Sequence, residues 1–287
     1  MTDQISTIGA SVVQHGKYND RVYLMKLALQ DSPAIIDAIN RLATQQGYSK
    51  IFAKVPAPAS EPFLADGYRI EATIPGFFQE DAACLLGKYF NEQRMAESNP
   101  ELVHDVLQTA LRQPLAATRP LPDGLVCRMA DQHDADAMAA LYRLIFASYP
   151  FPITDPDYLR ACMRNTVFFG IWADQKLVAL SSAEIDQETS SVEMTDFATL
   201  EAYRGHGLAR YLLQQMEREM VQRGIVTWYT IARACSYGMN NTFAKSGYGY
   251  AGTLTNNTQI SGGLESMNVW YKRQPNEPAG DGTAAHD

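Results

Sequence analysis

Apolar residues recur every four positions over 208–220, and this spacing predicts an amphipathic helix that ends near Gly224. A helical spacing of apolar residues also covers 134–147, and a shorter helix is predicted over 239–246. Between these helices the pattern changes to compact runs of β-branched and aromatic residues, which are typical of buried strands. The C-terminal half of the chain is therefore expected to alternate helices and strands.

The predicted strands of this half begin with a hairpin. Residues 167–173 and 176–184 are apolar runs separated by the turn dipeptide Asp174-Gln175. Further strands are predicted over 192–199, 225–232, 248–255 and 266–272. Helices and strands in this order predict an α/β fold with a mixed sheet.

The N-terminal half repeats part of this order. A strand, a helix, a strand and a helical turn are predicted over 21–27, 33–44, 50–55 and 61–66. The segment 63–68, Phe-Leu-Ala-Asp-Gly-Tyr, parallels 243–248, Phe-Ala-Lys-Ser-Gly-Tyr, at an offset of 180 residues. We interpret this similarity as a degenerate internal duplication. The alternative is that any strand–helix–strand unit produces such a similarity.

Proline and glycine mark the boundary between the two halves. Three prolines and a glycine interrupt a helical stretch and predict a linker over 114–124. We therefore expect an N-terminal α/β region over 1–113 and a larger domain over 125–273. Residues 274–287 are mostly proline, glycine, alanine and acidic residues, and they are expected to form a disordered tail.

The composition excludes several classes of protein. Of the 287 residues 46% are apolar, which excludes whole-chain disorder. The 24 Lys and Arg residues against 32 Asp and Glu residues give a net charge of −8, which argues against nucleic-acid binding and favours a cationic small molecule as ligand. No apolar run is long enough to span a membrane, and the N-terminus resembles no secretory signal. The four scattered cysteines indicate neither a disulfide framework nor a zinc site, so we expect a globular cytoplasmic protein.

The most informative segment is 197–209, in which a predicted strand ends, an arginine and two glycines follow, and the amphipathic helix begins. Gly205 and Gly207 allow backbone N–H groups to converge without obstruction by a Cβ atom. With the positive end of the helix these groups form a phosphate site, and Arg204 adds a charge at its rim. A tight turn without a ligand is the alternative. The segment is neither a dinucleotide fingerprint nor a Walker A loop, because it lacks their further glycine and Gly-Lys-Ser/Thr.

The string Tyr-Arg-Gly-His-Gly-Leu-Ala at 203–209 resembles the pyrophosphate loop of the GNAT acetyltransferases. The resemblance covers about 125–273 and includes the strand order and the Gly247-Tyr248 pair. It implies a GNAT fold, with a mixed and mostly antiparallel sheet flanked by helices, and acetyl-CoA as donor without a metal. The implied cofactor-binding residues are Phe197 and Thr199, through their main chains, and the loop residues Arg204, Gly205, His206, Gly207, Leu208 and Ala209.

One position departs from the family pattern. Four residues before the glycine of the Gly-aromatic pair the family often has a tyrosine that protonates the CoA sulfur, whereas this chain has Phe243. Tyr237 or Tyr248 can substitute, or water can protonate the thiolate. A carboxylate or a water takes the proton from the amine.

A longer resemblance relates 9–273 to the β-lysine N-acetyltransferases. It is carried by the segments 19–27, 149–153, 252–258 and 265–272. It implies transfer of the acetyl group to the terminal N6 amine of (3S)-3,6-diaminohexanoate, β-lysine, to give the compatible solute Nε-acetyl-β-lysine. The same transfer to a polyamine, lysine or an aminoglycoside is the alternative within enzymes, and a non-catalytic acyl-CoA sensor is the alternative outside them.

A diamino acid needs an acidic wall for its ammonium groups. Glu184, Glu193 and Asp196 lie on predicted strands near the expected position of the acetyl group. Glu193 and Asp196 differ by three positions, so a regular strand points them to opposite faces and only one of them can line the cleft. Asp196 is favoured as the catalytic carboxylate and Glu193 is the alternative. The alternative for all three residues is that they are solvated charges on a strand face without a role in the site.

Other substrate contacts follow from the same resemblance. Tyr149 and Phe151 occupy the family's substrate-loop position, although a proline-rich cap over the core is an equal interpretation. Asn256 and Asn257 are candidates for binding the carboxylate, although their residue type favours a turn. His206 is interpreted as a solvent-facing loop residue rather than as a catalyst.

The N-terminal half resembles a degenerate half of the same fold. At the turn equivalent to the phosphate loop the chain has residues 29–33, in which Asp31 or Ser32 is predicted to cap a helix that begins at Pro33. This turn has no glycine and carries a negative charge. We therefore expect this half to bind no CoA and either to support the catalytic half or to contribute to the contacts of a homodimer.

Overall fold

The computed structural model describes residues 3–274, so nearly all of the predicted tail lies outside the described range. Thirteen strands form one sheet in the order β1-β2-β3-β4-β6-β5-β12-β13-β11-β10-β9-β8-β7. The strands are β1 Gln4–Ile8, β2 Ser11–Gly16, β3 Arg21–Lys26, β4 Lys50–Pro56, β5 Arg69–Phe78, β6 Asp81–Tyr89, β7 Leu125–Met129, β8 Thr166–Ala173, β9 Lys176–Asp186, β10 Ser191–Thr199, β11 Thr227–Arg233, β12 Gly249–Ile260 and β13 Gly263–Arg273.

Eight helices of the described chain flank this sheet. They are α1 Ala34–Gln46, α2 Glu61–Ala65, α3 Glu92–Met95, α4 Pro100–Leu111, α5 Ala135–Ile145, α6 Pro156–Cys162, α7 Leu208–Gln222 and α8 Tyr237–Lys245. The α/β class is confirmed, as are the three helices predicted from periodicity in the C-terminal half. The β8–β9 hairpin is confirmed too, and Asp174 and Gln175 both adopt the positive φ of its tight turn. No helix within 3–274 is long and apolar enough to cross a bilayer.

Helices cover both faces of the C-terminal half of the sheet. Phe168 and Phe169 are neighbours on β8, and they point to opposite faces because side chains alternate along a strand. Phe168 packs in a core with α5 and α6, whereas Phe169 packs with α7 and α8. The sheet is therefore the middle layer of a three-layer structure.

The two halves of the sheet repeat one topology. The order β1-β2-β3-α1-β4-α2-β5-β6 matches β8-β9-β10-α7-β11-α8-β12-β13, and each series contains one parallel pair, β3/β4 or β10/β11. The segments 63–68 and 243–248 occupy equivalent places. In each the phenylalanine packs edge-on against the tyrosine, with ring centroids 5.3 Å and 5.1 Å apart. This shared packing favours duplication over a chance similarity.

The halves join edge to edge through β5 and β12, at Ala72 and Gly252. Gly252 has φ of +148°, and a Cβ atom there would lie 2.1 Å from the carbonyl oxygen of Glu71, so only glycine allows the strands to approach this closely. Side chains from both halves, including Phe77 and Tyr229, share one core at the junction. The two halves therefore share one sheet and one buried core at this junction.

The predicted capping of α1 is wrong. Neither Asp31 nor Ser32 caps the helix with its side chain, and the residue that precedes α1 is Pro33. The Asp31 carboxylate instead accepts hydrogen bonds from the backbone N–H groups of Ala10 and Ser11, at 2.9 and 2.8 Å. These hydrogen bonds of Asp31 thus stabilise the β1–β2 turn and not the helix terminus.

Candidate active site

The parallel strands β10 and β11 separate part-way along their length. They pair only over Ser191–Glu193 and Thr227–Tyr229. Beyond this point β10 continues alongside β9, and β11 continues alongside β13. The gap that results exposes backbone groups of both strands, which a ligand can use for hydrogen bonds.

The loop at the open end of this gap has the backbone predicted from its glycines. Gly205 and Gly207 have φ of +81° and +77°, a region that glycine adopts at little cost. Gly207 directly precedes α7, and no side chain caps that helix within the described chain. The first N–H groups of α7 therefore remain available to an anion, with the helix dipole in support.

A cavity of about 750 Å³ lies against this loop. All but one of the cofactor-binding residues predicted from the sequence line it: Phe197, Thr199, Arg204, Gly205, Gly207, Leu208 and Ala209. The exception is His206, which is exposed and directs its Nδ1 atom at the carbonyl oxygens of Tyr203 and Arg204. The interpretation of the His206 ring as a solvent-facing group agrees with this position.

Further basic side chains line the same cavity. Arg119, Arg210 and Lys245 come from the segment before β7, from the first turn of α7 and from the end of α8. They make the cavity locally cationic although the whole chain is acidic. No local sequence pattern connects these three residues, because they lie far apart in the chain, although Arg210 directly follows the loop segment 203–209.

A second cavity of about 370 Å³ adjoins the first, and Phe146, Phe197, Arg233 and Met239 line both. Four acidic residues line this second cavity, namely Asp186 and the three predicted candidates Glu184, Glu193 and Asp196. A ligand bound at the loop can therefore extend through the gap towards an acidic wall.

The expectation that Glu193 and Asp196 point to opposite faces is wrong. A β-bulge interrupts the register of β10 with β9 between Thr195 and Ala198. Asp196 lies in this bulge with φ of +55°, which turns its side chain into the cavity that Glu193 also lines. A bulge inserts one extra residue, so it breaks the alternation on which the expectation was based.

Asp196 is the most firmly held of the three carboxylates. It is 7% exposed, the Tyr149 hydroxyl donates a hydrogen bond to its Oδ1 atom, and the Ser182 hydroxyl donates to Oδ2 at 2.7 Å. Burial raises the pKa of Asp196, and these hydrogen bonds oppose that rise.

Glu193 is held by fewer hydrogen bonds than Asp196, and its pKa is also raised. Its cross-strand neighbours are Glu184 on β9 and Tyr229 on β11. Burial raises the pKa of Glu193 to about 7, Lys54 opposes the rise, and the Asp196 charge adds to it. Glu184 keeps exposed surface towards the cavity, yet enclosure by the walls and repulsion from Asp196 raise the pKa of its carboxyl group as well. A carboxylate that titrates near neutral pH can exchange protons with a substrate.

The N-terminal half supplies part of the wall of the smaller cavity. Arg21, Tyr23, Phe52 and Lys54, on β3 and β4, all line the smaller cavity. The expectation that this half only supports its neighbour or forms dimer contacts is therefore incomplete. No local motif signals these residues, and only the edge-to-edge junction brings them to the cavity.

The predicted substrate residues divide into two groups. Tyr149, Phe151, Glu184 and Asn257 line the smaller cavity. Asn256 does not, because the register of β12 shifts between Leu254 and Thr258 and the Asn256 side chain donates to the carbonyl oxygens of Arg94 and Ala96. Asn256 therefore fastens the segment around α3, and its assignment to the substrate is wrong.

Neither tyrosine suggested as a substitute for Phe243 reaches the cavities. Phe243 itself lines the smaller one. The Tyr237 hydroxyl donates to Asp105 on the surface, and Tyr248 is buried beside Phe243 and lines neither cavity. Within the described residues, no group of three His, Cys, Asp or Glu side chains is arranged to hold a metal ion.

Two parallel strands separate beside a cationic helix terminus that is lined by glycines, and carboxylates lie at the inner end of the gap. This combination is typical of an acyl-CoA-dependent N-acetyltransferase. The family model "Acetyltransferase (GNAT) family" matches residues 136–248. The chain belongs to this family and is an acetyl-transferring enzyme. GNAT acetyltransferases use acetyl-CoA as the donor, and the loop that precedes α7 lies within the matched residues.

Relatives extend the likeness to nearly the whole chain. A β-lysine N(6)-acetyltransferase of Methanococcus maripaludis is 39% identical over 271 residues, which cover 94% of this chain and 98% of the relative. The N-acetyltransferase YodP of Bacillus subtilis is 31% identical over 95% of this chain and 100% of its own. A β-lysine N(6)-acetyltransferase of Methanosarcina mazei is 29% identical over 83% of this chain and 96% of its own. The N-terminal half is thus shared with these relatives as well as the part that the family model matches.

Proposed function

We propose that this enzyme transfers the acetyl group of acetyl-CoA to the N6 amine of β-lysine and forms Nε-acetyl-β-lysine. The observation that carries the proposal is the cluster of Glu184, Glu193 and Asp196 at the inner end of the gap, next to the loop cavity. Two near-full-length relatives bear the name of this activity. Transfer to a polyamine, lysine or an aminoglycoside and a non-catalytic sensor are not favoured.

Acetyl-CoA supplies a thioester from which the acetyl group is transferred. In our proposal the N–H groups of residues 205–209 bind its pyrophosphate, and Arg204, Arg210 and Lys245 add positive charge around the phosphates. The main chains of Phe197 and Thr199, beyond the bulge of β10, hold the pantetheine arm. These contacts direct the thioester towards the smaller cavity.

The acidic wall binds the amines of the substrate. Glu184 and Asp196 compensate ammonium charge, and the rings of Tyr149 and Phe151 restrict the position of the aliphatic chain. The Tyr149 hydroxyl already donates to Asp196, so this carboxylate is fixed before a substrate arrives. Asp196 is therefore best suited to binding and orientation.

Glu193 is better suited to proton transfer. A primary ammonium group must lose a proton before its nitrogen can attack a carbonyl carbon. Glu193, with a pKa raised to about 7 by burial, is partly ionised at neutral pH and accepts that proton in our proposal. No side chain is assigned to protonate the CoA thiolate, since a thiol of this kind is acidic enough to leave with the help of water.

The direct test incubates the purified protein with acetyl-CoA and β-lysine. We expect a product that is heavier by one acetyl group, with fragmentation placing that group on N6, and release of CoA thiol in step with product. α-Lysine, spermidine and kanamycin serve as competing acceptors. Faster turnover of any of these than of β-lysine, or no turnover of β-lysine, would contradict the proposal.

A further inference from the structure

Arg21 on β3 is a buried arginine without a carboxylate partner in the described chain. Two other basic residues of the N-terminal half are as deeply buried, and each is paired: Lys50 Nζ lies 2.8 Å from Glu71 Oε2, and Arg94 Nη1 lies 3.5 Å from Asp20 Oδ2. Arg21 is 5% exposed, and no Asp or Glu oxygen of the described residues lies within 4 Å of its guanidinium group. Only the more distant Asp3 carboxylate attracts the Arg21 charge, and a buried charge without a directly paired carboxylate is costly.

Of the three guanidinium nitrogens of Arg21, only Nη1 donates hydrogen bonds within the described chain. Nη1 donates to the carbonyl oxygen of Asn257 and, at 3.3 Å, to the Thr258 hydroxyl. Nε is buried and has no acceptor in the described chain, and none is found for Nη2. Nε and Nη2 form the edge of an arginine that binds a carboxylate through two parallel hydrogen bonds.

The position of this guanidinium group is fixed. Its carbon atom lies 5.3 Å from the Tyr23 ring centroid and 5.7 Å from the Phe52 ring centroid, and these two rings stack on each other. Burial lowers the pKa of Arg21 to about 10, so the group stays charged at neutral pH. Arg21, Tyr23 and Phe52 all line the cavity that holds Glu184, Glu193 and Asp196.

We propose that Arg21 binds the carboxylate of the acceptor substrate, so that the N-terminal half selects amino acids over simple amines. This inference rests on the proposed function and adds the residue that binds the substrate carboxylate. The cavity then has a cationic end on the N-terminal half and an acidic wall on the C-terminal half. A diamino acid presents the complementary charges, a carboxylate at one end and ammonium groups along the chain.

The backbone of Asn257 orients Arg21. Its carbonyl oxygen accepts from Nη1 and so directs the opposite edge of Arg21 away from β12. Lys54 lines the same cavity but lies over the rings of Phe77 and Tyr229, at 5.0 and 6.0 Å, and lowers the pKa of Glu193. Lys54 therefore acts on the acids, and Arg21 is the residue assigned to the carboxylate.

The test compares β-lysine with its primary amide, 3,6-diaminohexanamide, which has the same shape but no negative charge. The readout is the ratio of kcat/KM for the two compounds, measured on one enzyme preparation, because partial misfolding of a variant cancels in a ratio. The wild-type ratio is expected to favour β-lysine by about 10- to 100-fold, the value of hydrogen bonds to a charged group. Arg21→Met should reduce the ratio to near 1, mainly through KM for β-lysine, and Arg21→Lys should give an intermediate ratio.

Arg94→Met is the matched control, because Arg94 is a buried arginine of the same half that does not line the cavity. It should leave the ratio unchanged even if the protein is less stable. A wild-type ratio near 1, or an Arg21→Met enzyme that keeps the wild-type ratio, would overturn the role of Arg21 while the proposed function stands. Failure of the wild-type enzyme to acetylate either compound would overturn both.

Discussion

Glu193 on β10 and Tyr229 on β11 are the last register partners that join the two parallel strands before the strands separate. Glu193 therefore lies at the vertex of the gap, on backbone that regular hydrogen bonding holds in place on the β9 side. Tyr229 is 7% exposed and lowers the pKa of Glu193, whereas burial raises it. At this position the Glu193 carboxylate lines the smaller cavity, next to the cavity at the loop.

Replacement of Glu193 by glutamine should lower kcat/KM for the amine by about 100-fold or more, the usual contribution of a general base. The carboxylate must be ionised to accept a proton. The wild-type kcat/KM is therefore expected to fall as the pH drops through about 7, the pKa of Glu193. The variant should lose this decrease in kcat/KM at low pH, the acidic limb of the pH profile. Steady-state rates from pH 5.5 to 9 measure both effects.

The matched control is Glu188→Gln, in the exposed turn between β9 and β10, where the Glu188 side chain is 71% exposed and faces Lys26. This control should keep the wild-type rate and pH profile. A Glu193→Gln enzyme that retained the acidic limb would show that another group carries the proton, and Asp196 would then be the next candidate.

The same substitution should stabilise the folded protein at alkaline pH. The pKa of Glu193 in the folded state, about 7, is above its ordinary value of 4.5. Between these two pH values the unfolded chain holds fewer protons than the folded one, so the wild-type free energy of unfolding falls as the pH rises through this window. Glu193→Gln avoids this loss and should be more stable by about 1–2 kcal/mol at pH 8, with little difference at pH 4. Urea titrations at the two pH values test this, and equal stability at pH 8 would contradict the raised pKa.

The phosphate loop was predictable because its signal is local. The residue type of Gly205 and Gly207 indicates positive φ values. The apolar spacing of α7 indicates where the helix begins. The bulge at Asp196 gives no such signal, since an aspartate in a strand pattern does not reveal a φ of +55°. Arg21 was missed for a different reason, because it lies 175 positions before Asp196 in the chain and reaches the cavity only through the β5–β12 junction.

Charge reversal at Arg204 should weaken the binding of acetyl-CoA. Arg204 lines the loop cavity, and its side chain is exposed at the rim. Arg204→Glu replaces an attractive charge by a repulsive one next to the diphosphate, so KM for acetyl-CoA should rise about 10- to 100-fold with a smaller change in kcat. Arg218→Glu makes the same charge change on an exposed position of α7 that lines neither cavity, and its KM should stay within about twofold. Similar KM values for the two variants would contradict the loop assignment.

Each chain should bind one molecule of CoA. The topological equivalent of the loop in the N-terminal half is the turn Leu29–Asp31 before α1. Its Asp31 carboxylate is occupied by the N–H groups of Ala10 and Ser11, and its negative charge repels a phosphate. Isothermal titration of the wild-type protein with CoA should give a stoichiometry near one, and Arg204→Glu should weaken that single site. A second site that survives Arg204→Glu would show that the N-terminal half binds CoA after all.

A buried ion pair of the N-terminal half, formed by Lys50 on β4 and Glu71 on β5, also binds β12 of the C-terminal half. Lys50 and Glu71 have side chains that are 0% and 4% exposed, and both also bond to Thr255 of β12, Lys50 Nζ to its carbonyl oxygen at 2.8 Å and Glu71 Oε1 to its N–H group at 3.1 Å. Lys50→Met leaves the Glu71 charge buried without a partner and should lower the free energy of unfolding by about 3–5 kcal/mol.

The double variant Lys50→Met/Glu71→Leu removes both charges, so it should recover most of that loss. Urea unfolding of the wild type, both single variants and the double variant gives the coupling energy between the two side chains. Because both partners hold β12, each single variant should also shift the unfolding of both halves together in one transition. Additive effects in this cycle, or separate transitions for the two halves in the wild type, would show that the ion pair does not hold them together.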